Sequence, residues 1–354
     1  MCSSLKRPVV AVLVANKMAE SAQQLPSTMR AAWYEATGDA KSVLQYGEQP
    51  LPDMSDQQVL VRLHATGVNP SDVKTRAGGR GMAFPKIIPH SDGAGIVVAT
   101  GDSCDPSLIG QRVYVRNGQW GRHSGTAAEY IAIEPEFLHA LPDEVSFEVG
   151  AALGIPALTA AYAVFKDGPV DGVRLLIHGG GGTVARLAVQ LAVDAGAHVI
   201  ATTSSGPTDL QNLGCAGVID YRTADMVTAA IKANDGLPFD RIIDAECGLN
   251  FAANAELIAP KGIIVGYGSA LSPTPEMPFM PLMFKNVTLS LILVYLLGAE
   301  EAQAYADIVA DMLCGGRLDV PIAATLPLEE IATAHQMVEE GKRHGAVILQ
   351  LPPA

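Results

Sequence analysis

The sequence predicts an α/β protein in two parts, an antiparallel barrel-like part and a doubly wound part with a parallel sheet. Three observations predict it. From Met29 to Ile133, short stretches with strand character are punctuated by Pro50, Pro52, Pro70, Pro85 and Pro89. Beyond about Phe147, hydrophobic strands alternate with alanine-rich helical stretches, the pattern of parallel sheets with right-handed crossovers. A run of glycines, Gly179 to Gly182, joins one such strand to one such helix. A chain of 354 residues also exceeds what one ordinary core holds.

Taken in order, residues 1–28 read as a flexible extension, and Met29 opens the first strand and is a candidate true start. Lys6-Arg7 and an apolar run to Ala15 have the order of a signal peptide, but Asn16-Lys17 follows at once. Arg30 to Glu35 and Val59 to Thr66 alternate, and Gly93 to Thr100 is rich in β-formers. Gly110 to Val115 and Ala127 to Ile133 continue the style. Ala151 to Phe165 reads as a helix. Strands are then predicted at 173–178, 198–203, 217–221, 241–245 and 262–267, with helices at 184–195, 223–234 and 250–257 between them. A last apolar strand, Val287 to Tyr295, closes this part. Helices at 300–313 and 328–340 and a strand at 346–351 complete the chain. The predicted division is 29–148 with 298–354 for one domain and 149–297 for the other.

Composition excludes several function classes. The formal net charge of -13 argues against nucleic acid or an anionic membrane as a partner. No segment reaches the roughly 20 apolar residues that span a bilayer. Cys2, Cys104, Cys215, Cys247 and Cys314 are scattered and form no Cys-x-x-Cys pair. Such a set points to reduced thiols in a cytoplasmic setting and to no metal cluster.

The glycine run carries the first chemical signal. Gly180, Gly182 and Ala185 fit the G-x-G-x-x-G/A spacing between a strand and a helix. In that pattern the first glycine permits a tight turn. The second admits a pyrophosphate to backbone N–H groups, and the small third residue lets the helix pack closely. The positive end of the helix dipole then faces the phosphates. An NAD site usually carries an acid about 20 residues on, but none stands between Ala195 and Thr208. Thr203 and Ser204 offer hydroxyls and Arg222 a charge, which favours NADPH. Arg222 as a solvated loop residue is the plainer alternative.

Several further segments occur in a recognisable order: Gly67-Val-Asn-Pro-Ser-Asp72, Pro85 to Gly95, Gly125-Thr-Ala-Ala-Glu-Tyr130, Leu153 to Ala160 and Ile219-Asp-Tyr-Arg222. With the glycine turn, they make the chain resemble the medium-chain dehydrogenase/reductase superfamily, and within it the zinc-free, zeta-crystallin-like quinone oxidoreductases, from Met29 to Leu351. The resemblance implies a GroES-like catalytic domain built from both chain ends, a central Rossmann domain and a cleft between them. It implies a homodimer through Val287 to Tyr295. It also implies no metal: zinc relatives place ligands where this chain has Asn69, Ser91-Asp92 and Gly154-Ile155. Two departures stand out. The turn reads Gly182-Thr-Val-Ala185 rather than Gly-Gly-Val-Gly, and Lys74 replaces a tyrosine common in the substrate cleft.

The resemblance therefore implies hydride transfer from NADPH to a quinone or a small α,β-unsaturated carbonyl compound. Asn69 is the first catalytic candidate, and Lys74 the second if its ammonium is buried rather than on the surface. Tyr295 closes the pocket in this reading, or else belongs to the core or an interface. The implied cofactor set is Gly180, Gly182, Thr183, Val184, Thr203, Ser204, Tyr221, Arg222, Gly266, Tyr267 and Arg343. His90 and His178 read as structural. The alternatives are an enoyl reductase for activated unsaturated acyl or halogenated acids, and a non-catalytic NADPH-binding protein.

Overall fold

The computed structural model describes residues 25–79, 81–204, 208–223 and 225–352. The extension expected at residues 1–28 lies outside the described residues up to position 24, and Thr28 already opens the first strand.

Strands β1 (Thr28–Trp33) and β2 (Gln45–Pro50) pair antiparallel around the short helix α1 (Ala40–Val43). Strand β3 (Val59–Val68) runs into helix α2 (Pro70–Arg76). Pro70 starts that helix because its fixed φ suits the first helical position and its missing N–H would have had no partner there. Strands β4 (Asp92–Thr100), β5 (Arg112–Val115), β6 (Tyr130–Ile133) and β7 (Leu138–Ala140) follow. Helices α3 (Phe147–Gly150) and α4 (Gly154–Phe165) lead out of this part.

Strands and helices then alternate as their composition predicts. They are β8 (Arg174–Ile177), α5 (Thr183–Asp194), β9 (His198–Thr203), α6 (Thr208–Asn212) and β10 (Gly217–Asp220). Next come α7 (Met226–Ala233), β11 (Phe239–Asp244), α8 (Cys247–Leu257), β12 (Ile258–Gly266), α9 (Phe279–Phe284) and β13 (Thr288–Leu291). The six strands form one parallel sheet in the order β10-β9-β8-β11-β12-β13. Leu175, Leu176 and Ile177 are fully buried in it, each contributing about 1.5–3 kcal/mol of apolar burial. Ala185, Ala188 and Ala192 let α5 lie close against the sheet.

The chain then returns through α10 (Ala299–Cys314), β14 (Ile322–Pro327), α11 (Ile331–Glu340) and β15 (Ala346–Gln350). These two strands join the barrel-like sheet, whose order is β14-β15-β3-β4-β5-β7 with β6 also on β3. All its pairs are antiparallel except β14 with β15. Strand β3 serves two neighbours on one side: Val59 to Arg62 pair with β6, and Ala65 to Val68 pair with β15. This split sets the loop before β15 beside the start of α2.

One element differs from its expected form. The strand expected over Val287 to Tyr295 ends at Leu291, and Tyr295 sits in a 3₁₀ turn, Val294–Leu296. Strand β13 is the outermost of its sheet, and no strand among the described residues extends the ladder beyond it. The chain turns inward there and buries Tyr295. Among the described residues no helix is long and apolar enough to cross a membrane.

Two buried histidines tie α11 to the barrel. His90 and His335 meet through their Nε2 atoms at 2.9 Å with rings stacked, and Thr66 Oγ1 lies 3.1 Å from His90 Nδ1. Burial lowers the pKa of His90 to about 3 and that of His335 well below its ordinary value. A buried neutral histidine contributes its full stability above pH 6.5. It loses that contribution as the pH falls, because only the unfolded chain takes up the proton. His335→Gln should therefore cost about 1–3 kcal/mol at pH 7 by leaving His90 without its partner. The gap to wild type should narrow below pH 6.5 by up to about 1.4 kcal/mol per pH unit. Denaturant unfolding at pH 7 and pH 5 checks this, and a gap that does not change with pH contradicts it.

Candidate functional site

The order of the parallel sheet reverses between β8 and β11, and open sheets of this kind bind ligands outside the carboxyl ends at that point. A cavity of about 270 Å³ lies there. Gly179, Gly182 to Ala185, Ala245 and Tyr267 line it from the parallel sheet, and Gly67 to Pro70 from the barrel. Gly341 and Arg343 come from the loop before β15. A groove of about 380 Å³ adjoins it, sharing Gly179, Gly182, Gly341 and Arg343. Thr203, Ser204 and Tyr221 line that groove together with Lys342 and His344.

The glycine turn works differently from the simplest expectation. The left-handed residue is Gly179, with φ 71°, not Gly180. Gly180 must be small for another reason: a Cβ there would lie 2.7 Å from Leu210 Cδ1. Gly182 caps α5 without any side-chain hydrogen bond to the first turn. A Cβ at Gly182 would meet only Gly179 O, at 3.3 Å. The first N–H groups of α5 are thus left for a ligand, as an anion site requires.

A buried polar network holds this turn from beneath. The Gly179 N–H donates to Thr202 Oγ1 at 3.2 Å, which lies 3.2 Å from His178 Nδ1. His178 Nε2 and Asn254 Oδ1 are 2.9 Å apart, and Asn254 Nδ2 donates to Asp244 Oδ2 at 2.8 Å. His178 therefore links the ends of β8, β9 and β11 as a structural residue.

The barrel wall carries a second network. Asn69 precedes α2; its backbone N–H donates to Asp72 Oδ2 at 2.8 Å and its Nδ2 to Asp92 Oδ2 at 2.7 Å. The Ile155 N–H donates to both Asp92 oxygens, at 2.9 and 3.0 Å. Hydrogen bonding from Asn69 and Ser91 favours the ionised form of Asp72. Burial pushes the Asp72 carboxyl up to about 7 against these hydrogen bonds, and Asp92 well above its ordinary value. The Tyr295 hydroxyl lies 2.8 Å from Ser71 Oγ and 3.3 Å from Ser91 Oγ, and its ring stacks on Trp120 at 4.4 Å. Burial raises the Tyr295 pKa, so the phenol keeps its proton at neutral pH.

The expected site residues divide into two groups. Asn69, Gly182, Thr183, Val184, Tyr267 and Arg343 line the cavity, and Thr203, Ser204 and Tyr221 the groove. Gly180 and Thr203 border a smaller adjoining hollow with Arg186 and His344. Tyr295, expected to close the pocket, lines neither space, because its turn buries it against Trp120, Ser71 and Ser91. Lys74 does not belong with them either. It is exposed and outside the cavity lining, because Asp72, Val73 and Arg76 take the buried face of α2 and turn Lys74 the other way. Arg222 is exposed and held by Asp220, with Nε to Oδ1 at 3.1 Å and Nη2 to Oδ2 at 3.0 Å, and lines neither the cavity nor the groove. Gly266 is packed against Cys247 and Leu291, so its neighbour Tyr267 makes the cavity wall. Sequence reasoning missed Lys342 and His344, which stand together with Arg343 between two glycines in an acidic chain. It also missed Ser71, Asp72 and Ser91, which carry no spacing signal of their own. Among the described residues no group of three or more His, Cys, Asp or Glu could hold a metal ion.

With this geometry established, comparison with known proteins places the chain. Residues 55–143 match the alcohol dehydrogenase GroES-like domain family, and residues 213–349 the zinc-binding dehydrogenase family. Human quinone oxidoreductase is 30% identical over 308 residues, covering 85% of this chain and 91% of the relative. A quinone oxidoreductase from Pseudomonas syringae pv. Tomato DC3000 superposes with a TM-score of 0.82 at 27% identity, covering 91% and 99% of the two chains. A mycobacterial protein complexed with NADPH gives a TM-score of 0.80 at 26% identity, with the same coverage. The chain belongs to the quinone oxidoreductase branch of the medium-chain dehydrogenase/reductase superfamily. It is an oxidoreductase, with a GroES-like part and a Rossmann-like part.

Close packing against Asp92 gives a direct test. A Cβ on Gly154 would lie 2.4 Å from Asp92 Oδ1 and 2.7 Å from Val115 O. Gly154→Ala should destabilise the protein by about 1–3 kcal/mol and lower turnover by displacing Asp92 and Asn69. Urea unfolding with parallel kinetics checks this, and an unaltered midpoint and rate contradict it.

Proposed function

We propose that the protein is an NADPH-dependent reductase that transfers hydride, without a metal, to quinones or small α,β-unsaturated carbonyl compounds. One observation carries the reading: an uncapped helix N-terminus and a basic loop share a single cleft with a neutral polar wall at Asn69. Bound NADPH would supply the hydride. The N–H groups of Thr183 and Val184 would hold its pyrophosphate, and Thr203, Ser204 and Tyr221 its adenosine end. Lys342, Arg343 and His344 would supply the charge for a 2′-phosphate. Arg343 suits this role, since its buried Nε has no protein partner and its Nη1 makes one long bond to Val338 O, at 3.3 Å. The relative complexed with NADPH supports the choice of cofactor.

The acceptor must be electron-poor, because positioning is most of what such a protein contributes to hydride transfer. Negative charge then develops on the acceptor oxygen, which the second amide N–H of Asn69, on the cavity wall, is suited to stabilise. The donor set supports metal independence. Asn69 gives one amide N–H to Asp92, Gly154 has no side chain, and the Asp92 carboxyl is engaged by N–H donors. These are poor substitutes for the thiolate and imidazole ligands of a tetrahedral zinc site. Free, scattered cysteines fit a reducing, cytoplasmic setting. The catalytic domain in this reading comprises 29–148 with 298–354, and the nucleotide domain 149–297.

We also assign homodimer formation to the edge at β13. Leu291 and Leu296 are 71% and 72% exposed there, beside exposed Phe284 and Leu293. An apolar sheet edge of this kind needs a cover. Leu291→Arg should convert a dimer to a monomer in sedimentation; a species of unchanged mass contradicts the assignment.

The functional reading predicts NADPH oxidation with 1,4-quinones or with cyclic enones. Activity with enones alone would remove the quinone assignment, and tight NADPH binding without turnover on any activated acceptor would remove the enzymatic one. Arg343→Ala should raise KM for NADPH about tenfold, the loss of roughly one charge-assisted hydrogen bond, and affect NADH less. Equal losses with both cofactors contradict a role at the 2′-phosphate.

A further inference from the structure

We propose that the Arg76–Glu339 ion pair positions the basic loop at Lys342 to His344 and through it sets the preference for NADPH over NADH. The proposal rests on the cofactor reading put forward above. Arg76 ends α2, whose other end brings Asn69 and Pro70 to the cavity. Its guanidinium is buried and forked: Nη1 donates to the Gly38 carbonyl and Nη2 to Glu339 Oε1. The Gly38 N–H in turn donates to the Arg76 carbonyl at 3.1 Å. Arg76 is thus a fixed post in the barrel, and Glu339 ties the last turn of α11 to it.

Glu339 stands where helix electrostatics disfavour it. It lies in the last turn of α11, at the negative end of the helix dipole, and no basic residue shares that turn. A buried guanidinium, for its part, is costly unless it is paired. The ion pair answers both. Its effect passes on through one peptide unit. The Val338 carbonyl, joined to the Glu339 N–H, accepts from the Gly341 N–H and from Arg343 Nη1, each at 3.3 Å. Fixing Glu339 therefore fixes the acceptor that aims Arg343.

The loop is held at its other end as well. Gly341, with φ 65°, takes the left-handed conformation that ends α11. Gly345, with φ 116°, passes so close to Pro321 that a Cβ would lie 2.3 Å from its carbonyl oxygen. The Ala346 N–H donates to that same oxygen at 2.8 Å. Lys342, Arg343 and His344 span these two anchors and line the groove. A 2′-phosphate requires their charges to face Thr203 and Ser204 across it, whereas NADH has no group there to meet them. Glu339 lines neither the cavity nor the groove and is a positioning residue that acts through the loop.

The test uses the full chain and measures dissociation constants for NADPH and NADH by the fluorescence of the bound dihydronicotinamide, with no acceptor present. Glu339→Gln keeps the shape of the side chain and an acceptor for Arg76 but removes the charge. It should weaken NADPH binding several-fold and leave NADH at its wild-type value. The loss should be smaller than the roughly tenfold expected of Arg343→Ala, because the loop charges are displaced rather than deleted. Arg76→Lys, which keeps the charge and loses the fork, should show the same selective loss. In a chain already carrying Lys342→Ala, Arg343→Ala and His344→Ala, Glu339→Gln should have no further effect on NADPH. Independently of any cofactor, the backbone amides of 341–345 should exchange hydrogen several times faster in Glu339→Gln, with those of β15 unchanged. The proposal is overturned if NADPH and NADH weaken alike, if Glu339→Gln still acts on NADPH in the chain without the three basic residues, or if the loop exchanges at the wild-type rate. A wild type that binds NADH as tightly as NADPH defeats the cofactor reading instead, and the exchange rates then decide whether Glu339 holds the loop.

Discussion

The site depends on the way the Asp92 carboxyl is held. Asp92 opens β4, and its side chain gathers the start of α2 through Asn69 and the start of α4 through Ile155. Gly154 lacks a side chain so that these groups can meet. One carboxyl thereby fixes three elements, and two of them carry residues that line the cavity. Desolvation of an acid is unfavourable by several kcal/mol unless it is hydrogen-bonded or neutralised. Asp92 has three such bonds to its oxygens and a raised pKa, so it stays in place without a cation.

The opposite side of the cleft is built on a comparable principle. Asp244, Asn254, His178 and Thr202 form one hydrogen-bonded line across the ends of three strands. This line holds Gly179 in its left-handed turn and leaves the first N–H groups of α5 unoccupied. Positive charge is scarce in a chain of net charge -13, yet three basic residues in succession face the groove from the loop before β15. That loop reaches the cleft only because β15 pairs with the end of β3.

Much of this was legible in the sequence, and the rest was hidden for physical reasons. Strand and helix alternation gave the parallel sheet, since its buried strands are continuous apolar runs. Proline-punctuated strands gave the barrel. The glycine turn was correctly located, but which glycine adopts positive φ depends on how the strand meets the helix, and that is not written in the spacing. Lys74 was misplaced because its exposure depends on which face of α2 packs inward. Tyr295 was expected in a strand because apolar residues surround it, whereas the edge position of β13 ends the ladder early. The meeting of His90 with His335, and of Tyr295 with Ser71 and Ser91, joins residues more than 200 positions apart. Only the topology brings them together.

In the proposed function the cleft is a hydride-transfer site whose acceptor oxygen is stabilised by hydrogen bonds rather than by a Lewis acid. Turnover of NADPH with an activated acceptor after exhaustive chelation, with metal content measured on the same sample, tests this most directly. Metal-free hydride transfer should give an unchanged rate at negligible zinc. A rate abolished by chelation and restored by stoichiometric zinc would contradict it.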